Sequence, residues 1–507
     1  MVLCIPSLYI AWMFRDLPHL GDFQDDGLYL SAAKSLAAGH EYRITSLPGQ
    51  PWQTKFPFIY PAALAQIWKI FPSFPENTPA FVLFAWIWLP AYIVLAGFTF
   101  AALGLSTRIA LALCAFLALN PNIILFGISL MPELMFSCLL MASLLLLGRG
   151  WPMSLLAGLL GGAAYLTRSA ALPLLLSGPI FLIYRRKRRE AFLFAAGMLP
   201  AVIAWTLWVR MHLRPASDPI FRFYTDYFGY YLSNVRPRDI PLFVIHNLAC
   251  LLSSIGDLFI LNPTDSFWWN AALSGIGAIA IAGCFRRTQF HFFAAAYGAV
   301  LLIWHYTPTE RILIPVFPVL LAGLVFELKR LGRKLDVGLQ PFAVAGLLCL
   351  ALYASGRGTG HYLIAYLRDA RHNLQVNRRL YAWIGSNLSV DAQFVSADDS
   401  LIYLYTGRHA VSYQFPPMLF YRRDEPRERQ FFASIPAFAR ASDIQYVVAG
   451  ASRSIADLPP GDRSLAERFL RGSGSMDCLY KEGAARIYHI DRYASDPTDL
   501  TPPAKLP

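Results

Sequence analysis

The sequence predicts a polytopic α-helical membrane protein of about eleven transmembrane helices with a C-terminal outer-face α/β domain. Composition, recurring apolar runs and a change of texture near residue 356 carry that expectation. Of the 507 residues, 56% are hydrophobic and 15% charged, and the mean hydropathy is +0.43; soluble domains carry about 25% charged residues. The formal net charge of +12 does not mark a nucleic-acid binder. Its basic residues gather between apolar runs, as the positive-inside bias of membrane proteins requires.

Taken in order, residues 1–14 are apolar but shorter than the roughly 20 residues of a spanning helix, and they lack a basic flank. They read as a first span with an incomplete start rather than a cleavable signal peptide. A polar loop, 15–79, follows. Further spans are expected at 79–103, 109–128, 130–147, 153–166, 170–184, 191–209, 267–285, 290–306, 312–326 and 337–354. Arg108, Arg149, the basic run 185–189, Arg286, Arg287, Lys329, Arg330, Arg333 and Lys334 occupy alternate short loops, which assigns those loops to the cytoplasm. The 15–79 loop and everything after the last span are then on the outer side. Segment 241–262 is apolar but carries His246, Asn247 and Asp257, and a span there would break the charge alternation, so it reads as an interfacial helix.

The domain division is 1–355 for the membrane part and 356–507 for the soluble part. In the latter, 377–387 reads as a helix, 392–396 as a strand, 400–406 as a short helix ended by Gly407, and 444–449 as a strand. The Pro-rich stretch from Ser495 reads as disordered.

Six cysteines (Cys4, Cys114, Cys138, Cys250, Cys284 and Cys349) lie in apolar segments, where they behave as small hydrophobes, and Cys478 stands in the polar tail. No disulfide framework or CxxC spacing is present. His40, His246 and His305 are scattered singly, so no histidine-based metal site is expected.

Chemistry concentrates in 22–61. Asp25 and Asp26 open a short helix in which apolar residues recur at Leu28, Ala32, Ala33 and Leu36 and which Gly39 can stop; its pattern suits a membrane surface. Neighbouring helical positions point about 100° apart, so one carboxylate can cap the helix while the other acts; alternatively both cap. Lys55 lies in TKFPFIYP, where prolines deny a regular helix and aromatics, Tyr60 among them, fit an interface. It either binds substrate or snorkels to the headgroups.

Glu133 follows Pro132 at the start of a span, where a carboxylate also complements the helix dipole. Arg168, in YLTRSAAL, falls on the outer side against the charge bias, which calls for a reason; binding of phosphate or carboxylate by the guanidinium fork supplies one. The same holds for Arg311 in HYTPTERILIPVFP, whose alternative is a weak surface pair with Glu310.

In order, DDGLYLSAAKSLAAG, KFPFIYPAAL, MPELMF, YLTRSAALPLL and ERILIPVFPVLL resemble the membrane glycosyltransferases of the C superfamily. The chain is most similar to bacterial relatives of protein O-mannosyltransferases and of the lipid A aminoarabinose transferase. ADDSLIYLYTGRHAV resembles the start of the outer α/β domain of many bacterial members. The resemblance implies a GT-C-like fold in the cell (inner) membrane, with the site and C-terminal domain on the periplasmic side. It further implies inverting transfer of a sugar from a polyprenyl-phosphate donor to a protein, lipid or glycan acceptor.

On this resemblance Asp25 falls on the catalytic base, Asp26 on its partner, Tyr29 on the tyrosine that follows, and Lys55 on the lysine that contacts lipid phosphate. Phe56 and Phe58 stand where proline is frequent. Lys55, Tyr60, Glu133, Arg168 and Arg311 are then the candidate substrate-binding residues, and a phosphate leaving group lets one base and several cations suffice. No cofactor is expected beyond the lipid-linked donor, although Asp25, Asp26 and Glu133 could gather a divalent cation. The main alternative is a transporter or flippase of a lipid-linked glycan, which should more often show ionisable or broken mid-membrane segments and internal repeats; neither is evident. A scaffold reading leaves the outer-face charges unexplained.

Overall fold

Within a bilayer every backbone N–H and C=O must find its partner inside the segment, so apolar runs fold as helices. The computed structural model describes residues 2–213, 219–261, 266–332, 340–413, 421, 425–449, 476–483 and 485–490. Its first helices are α1 (Ile5–Met13), α2 (Asp25–Ala37), α3 (Ile59–Ile70), α4 (Thr78–Ala102), α5 (Thr107–Leu119), α6 (Pro121–Ile128) and α7 (Glu133–Leu146). There follow α8 (Trp151–Thr167), α9 (Leu172–Tyr184), α10 (Arg188–His212), α11 (Pro219–Thr225), α12 (Tyr227–Asn234) and α13 (Ile240–Phe259). The bundle continues through α14 (Phe267–Ala282), α15 (Gln289–Ile303), α16 (Glu310–Leu313), α17 (Phe317–Gly332) and α18 (Gln340–Arg357).

Four helical stretches among the described residues are long and apolar enough to cross a bilayer: Thr78–Ala102, Arg188–His212, Pro237–Phe259 and Glu310–Gly332. The protein is therefore a multi-pass helical one by length and composition, and several of the other expected spans fall on shorter apolar helices such as α7, α14 and α15. Two expectations need correction. Segment 109–128 is not one straight helix but two helices bent by 57°. Asn120 makes the break: its side chain accepts from the N–H groups of Asn122 and Ile123, Pro121 follows at the first helical position, and its amide donates to the Leu258 carbonyl at 2.7 Å.

Segment 241–262, expected to lie along the interface, belongs to a stretch with the length and hydropathy of a span. Within it the Asn247 amide is satisfied by backbone carbonyls, donating to those of Leu301, Leu302 and Trp304 at 3.1, 3.2 and 2.7 Å. Gly256 and Gly277, where any Cβ would strike the facing backbone, bring α13 against α14.

After α18, one π-type turn, Gly358–Leu363, leads directly into α19 (Ile364–Asn387), so the position of the expected boundary at 356 falls within continuous helix. Beyond it come β1 (Phe394–Ser396), α20 (Asp399–Thr406), β2 (Ala410–Val411), α21 (Glu425–Ala433), α22 (Ile435–Ala441), β3 (Tyr446–Ala449), β4 (Met476–Glu482) and β5 (Ala485–Ile490). They form a sheet of order β2-β1-β3-β5-β4, in which β1 is parallel to both its neighbours and β5 is antiparallel to β3 and β4. Gly407, at φ +74°, ends α20 as its sequence indicates. The stretch from Ser495 lies outside the described residues.

This domain docks on the 15–79 loop. The Ala410 N–H donates to the Ser46 carbonyl at 3.0 Å, Tyr366 Oη to Asp22 Oδ2 at 2.6 Å, and Arg371 Nε to Asp16 Oδ2 at 2.8 Å. Consequently α2 is not a surface helix: from Asp26 to Ala33 every residue is buried, between α3 on one side and α20 on the other. Its weak apolar periodicity reflects burial on all sides rather than an interfacial face. A Cβ on Gly27 would sit 2.7 Å from Ser400 Cβ. Gly27→Ala should thus lower the thermal unfolding temperature in detergent by an overpacking cost of about 1–3 kcal/mol, against an intrinsic helix gain of about 1 kcal/mol. A stabilised variant would show that α2 and α20 do not approach this closely.

Candidate functional site: an ion network on the α2 terminus

Gln24, at φ +58°, turns the chain into α2, and its own side chain makes no cap bond. Of the two carboxylates expected to cap free N–H groups, Asp26 does so at Gly27 in the first turn, and Asp25 does not. Asp26, 1% exposed, turns inward: its Oδ2 accepts from Gly21 N–H at 3.0 Å and its Oδ1 from Gly27 N–H at 2.8 Å, pinning the turn that precedes the helix. Burial pushes its carboxyl up to about 7 despite those two bonds, with Asp22 and Asp25 adding to the rise.

Asp25 points the other way. Its Oδ2 accepts from Arg311 Nη2 at 2.7 Å, and its Oδ1 lies 3.7 Å from Lys55 Nζ. Arg311 Nε reaches Glu133 Oε1 at 2.5 Å, and Arg168 Nη1 donates to the same oxygen. Lys55, Asp25, Arg311, Glu133 and Arg168 thus form one chain of opposite charges, brought from a loop, the start of α2, α16, the start of α7 and the end of α8. Three cations face two carboxylates, so one positive charge is left for a ligand. Burial alone would raise the Asp25 carboxyl, but Arg311 and then Lys55 outweigh it and hold the group below the usual carboxylate range. Lys55 is drawn down to about 8, by burial first, with Asp25 opposing.

The Lys55 loop is built by its own backbone needs. Gln53 Oε1 accepts the N–H groups of Lys55 and Phe56 at 2.9 and 3.2 Å, Trp208 Nε1 donates to the Gln53 carbonyl at 3.0 Å, and Thr54 Oγ1 to the Thr225 carbonyl at 2.7 Å. These bonds set the ammonium 3.5 Å from the centroid of the Phe223 ring and 5.1 Å from that of Tyr227, cation–π contacts worth about 2 kcal/mol when desolvated. Its side chain is 6% exposed, so simple snorkelling to a surface does not describe it.

Of the seven residues singled out in the sequence, five meet in this network. Asp26 faces away, and Tyr60 stands behind the site, with Tyr29 packed edge-on against it at 5.2 Å and Phe56 against Tyr29 at 4.5 Å. The hydroxyl of Tyr60 and Oε2 of Glu133 are buried without a hydrogen-bond partner among the described residues. Arg311 pairs with Asp25 and Glu133, which overturns the surface pair with Glu310. No group of three or more His, Cys, Asp or Glu side chains gathers as a metal site among the described residues; Arg311 stands between Asp25 and Glu133, so the three carboxylates considered for a divalent cation are not clustered.

Sequence reasoning missed the wall formed by Phe223, Tyr227 and their neighbours. The run FRFYTDYFGYYL at 221–232 was its one signal, since so many aromatics in a connecting segment require something to pack on. His305, passed over as a lone histidine, is fully buried among Tyr227, Tyr230, Tyr231, Trp304 and Tyr306.

This architecture matches solved structures over nearly its whole length. The chain aligns with ArnT from Cupriavidus metallidurans in the apo state at a TM-score of 0.51 and 13% identity, over 96% of this chain and 97% of that one. With ArnT from Cupriavidus metallidurans bound to undecaprenyl phosphate the TM-score is 0.53 and the identity 14%, over 98% of each chain. The chain therefore has the ArnT fold over nearly its whole length, the fold implied by the resemblance to the C superfamily. No family model matches the sequence, and no curated protein matches it.

The Asp26 environment gives a stability signature. The folded protein holds this proton to higher pH than the unfolded chain, so the contribution of Asp26 is full below about pH 4, is lost as the pH rises through about 7, and is flat above it. Asp26→Ala also strands the Gly21 and Gly27 N–H groups, at about 1–3 kcal/mol. The stability margin of wild type over Asp26→Ala, from thermal unfolding in detergent, should shrink between about pH 4 and about pH 7; a margin that grows with pH would refute the assignment.

Proposed function

We propose that this protein transfers a sugar from a polyprenyl-phosphate donor to an acceptor hydroxyl at the outer face of the cell membrane, with inversion. The observation that carries the reading is the ion network: the carboxylate matched to the base by family resemblance is held by two of the cations suited to a lipid phosphate. The likeness to a structure bound to undecaprenyl phosphate supports the donor class.

In the resting site Asp25 is neutralised from within. Lys55 and Arg311 both engage Asp25, and a carboxylate so paired is a poor base. The phosphodiester of an incoming donor, singly charged like the carboxylate but gaining charge as its bond to the sugar breaks, competes for the same cations and leaves Asp25 free to accept a proton. Donor binding therefore switches the base on. The acceptor oxygen then attacks the anomeric carbon as its proton passes to Asp25, the carbon–oxygen bond to phosphate breaks, and that electron pair leaves on the phosphate, which Lys55, Arg311 and Arg168 stabilise. Glu133 holds the two arginines in place throughout. Protein, lipid and glycan hydroxyls all fit this scheme as acceptors.

Proteoliposomes offered a panel of polyprenyl-phosphate sugars and a lysate of acceptors, with release of free polyprenyl phosphate followed by mass spectrometry, test the reading. Wild type should consume one donor, and Asp25→Asn should lose about 10²–10⁴-fold in turnover with folding unchanged. Retained turnover would sink Asp25 as the base; lipid-linked sugar crossing the bilayer unconsumed would put a transporter in its place. Lys55→Ala should raise the donor KM about 10- to 100-fold, and an unchanged donor response would remove Lys55 from the phosphate site.

A further inference from the structure

In sheets with parallel strands, ligands settle in the crevice beyond the carboxyl ends of the strands. Here that crevice is already filled, by a side chain of the membrane part. Asp399 follows the carboxyl end of β1, the strand flanked by both other parallel strands, and Ser412 follows the carboxyl end of β2. Between them lies Tyr224 of α11, fully buried: its hydroxyl donates to Asp399 Oδ2 at 2.7 Å and accepts from the Ser412 N–H at 3.0 Å. The other Asp399 oxygen accepts from the Ser400 N–H at 2.6 Å, so the carboxylate is fixed in its own domain before it grips the tyrosine.

Tyr224 follows Phe223, whose ring covers the Lys55 ammonium, and precedes Thr225, whose carbonyl takes the Thr54 hydroxyl. The neighbouring Tyr227 ring closes the same ammonium. Tyr224, anchored in the C-terminal domain through its hydroxyl, therefore stands one residue from the ring that covers the cation matched to lipid phosphate.

We propose that Asp399 is a positioning residue of the Lys55 site: through Tyr224 the C-terminal domain holds the Phe223 and Tyr227 wall against the Lys55 ammonium and so sets its place for the donor phosphate. The consequence for donor use rests on the function proposed above; the mechanical link does not.

Acetylation of Lys55 by an N-hydroxysuccinimide ester, quantified by peptide mass spectrometry on full-length protein in detergent, tests the link directly. Tyr224→Phe deletes only the hydroxyl, and Asp399→Ala removes its acceptor together with that of the Ser400 N–H; each should raise Lys55 labelling about ten-fold over wild type, as loss of one buried hydrogen bond to a charged group allows. The double variant should be no worse than either single one, and Asp399→Asn, which keeps an acceptor oxygen, should restore most of the protection. Both single variants should also raise the donor KM more than they lower kcat.

Equal labelling in wild type, Tyr224→Phe and Asp399→Ala would overturn the proposal and leave the transferase reading standing. Labelling that rises as expected, in a wild type whose Lys55 is not protected by added undecaprenyl phosphate, would uphold the link while removing the lipid-phosphate donor.

Discussion

One guanidinium joins the parts of this molecule that chemistry requires together. Arg311 bonds to Asp25 through Nη2 and to Glu133 through Nε, so a single planar group ties the start of α2 to the start of α7. A lysine could not replace it, because a point charge on a flexible stem does not fix two carboxylates at a set separation. Arg168 shares the same Glu133 oxygen, and Lys55 lies on the other oxygen of Asp25. Remove Arg311, and two carboxylates in a low-dielectric site face one cation each, with their mutual geometry unset.

Stability alone gives no reason to build such a network. Breaking a buried ion pair costs about 3–5 kcal/mol, yet replacing it whole by packed apolar residues is frequently neutral or favourable. A chain that is 56% hydrophobic had every opportunity for that substitution. On the proposed function, the charges provide a site already desolvated and already oriented, in which an anion would gain by exchanging with an internal carboxylate rather than by assembling cations from water. The fully buried, half-satisfied Glu133 marks where that cost is concentrated.

The five network residues were legible because each broke a simple rule. Arg168 and Arg311 stood on the wrong side of the charge bias, Glu133 sat at the mouth of an apolar segment, and Asp25 and Lys55 lay in a loop whose order of motifs resembled a family. Much of the helical layout followed from hydropathy for the same reason, since an apolar run between basic loops has few other uses. What could not be read was set by partners distant in sequence. The bend at Asn120 depends on the Leu258 carbonyl, the Asn247 amide of α13 on carbonyls at the end of α15, and the burial of α2 on α20, some 370 residues later. Strands β4 and β5 escaped notice because their polar alternation carries little signal until they pair with β3.

The same distance in sequence explains why Asp26 and Asp25, though adjacent, have opposite fates. The helix turns them about 100° apart, which sends Asp26 into backbone N–H groups beneath the C-terminal domain and Asp25 among the cations. One carboxylate, raised towards neutrality by burial, serves as a fixed acceptor for the Gly21 and Gly27 turn; the other, kept ionised by Arg311 and Lys55, stays available for exchange. Because the turn held by Asp26 sets where α2 begins, and α2 begins with Asp25, the first acid fixes the position of the second. The pair therefore works as support and effector, and the chemistry of the site reaches back through one helical turn to the packing of the domain above it.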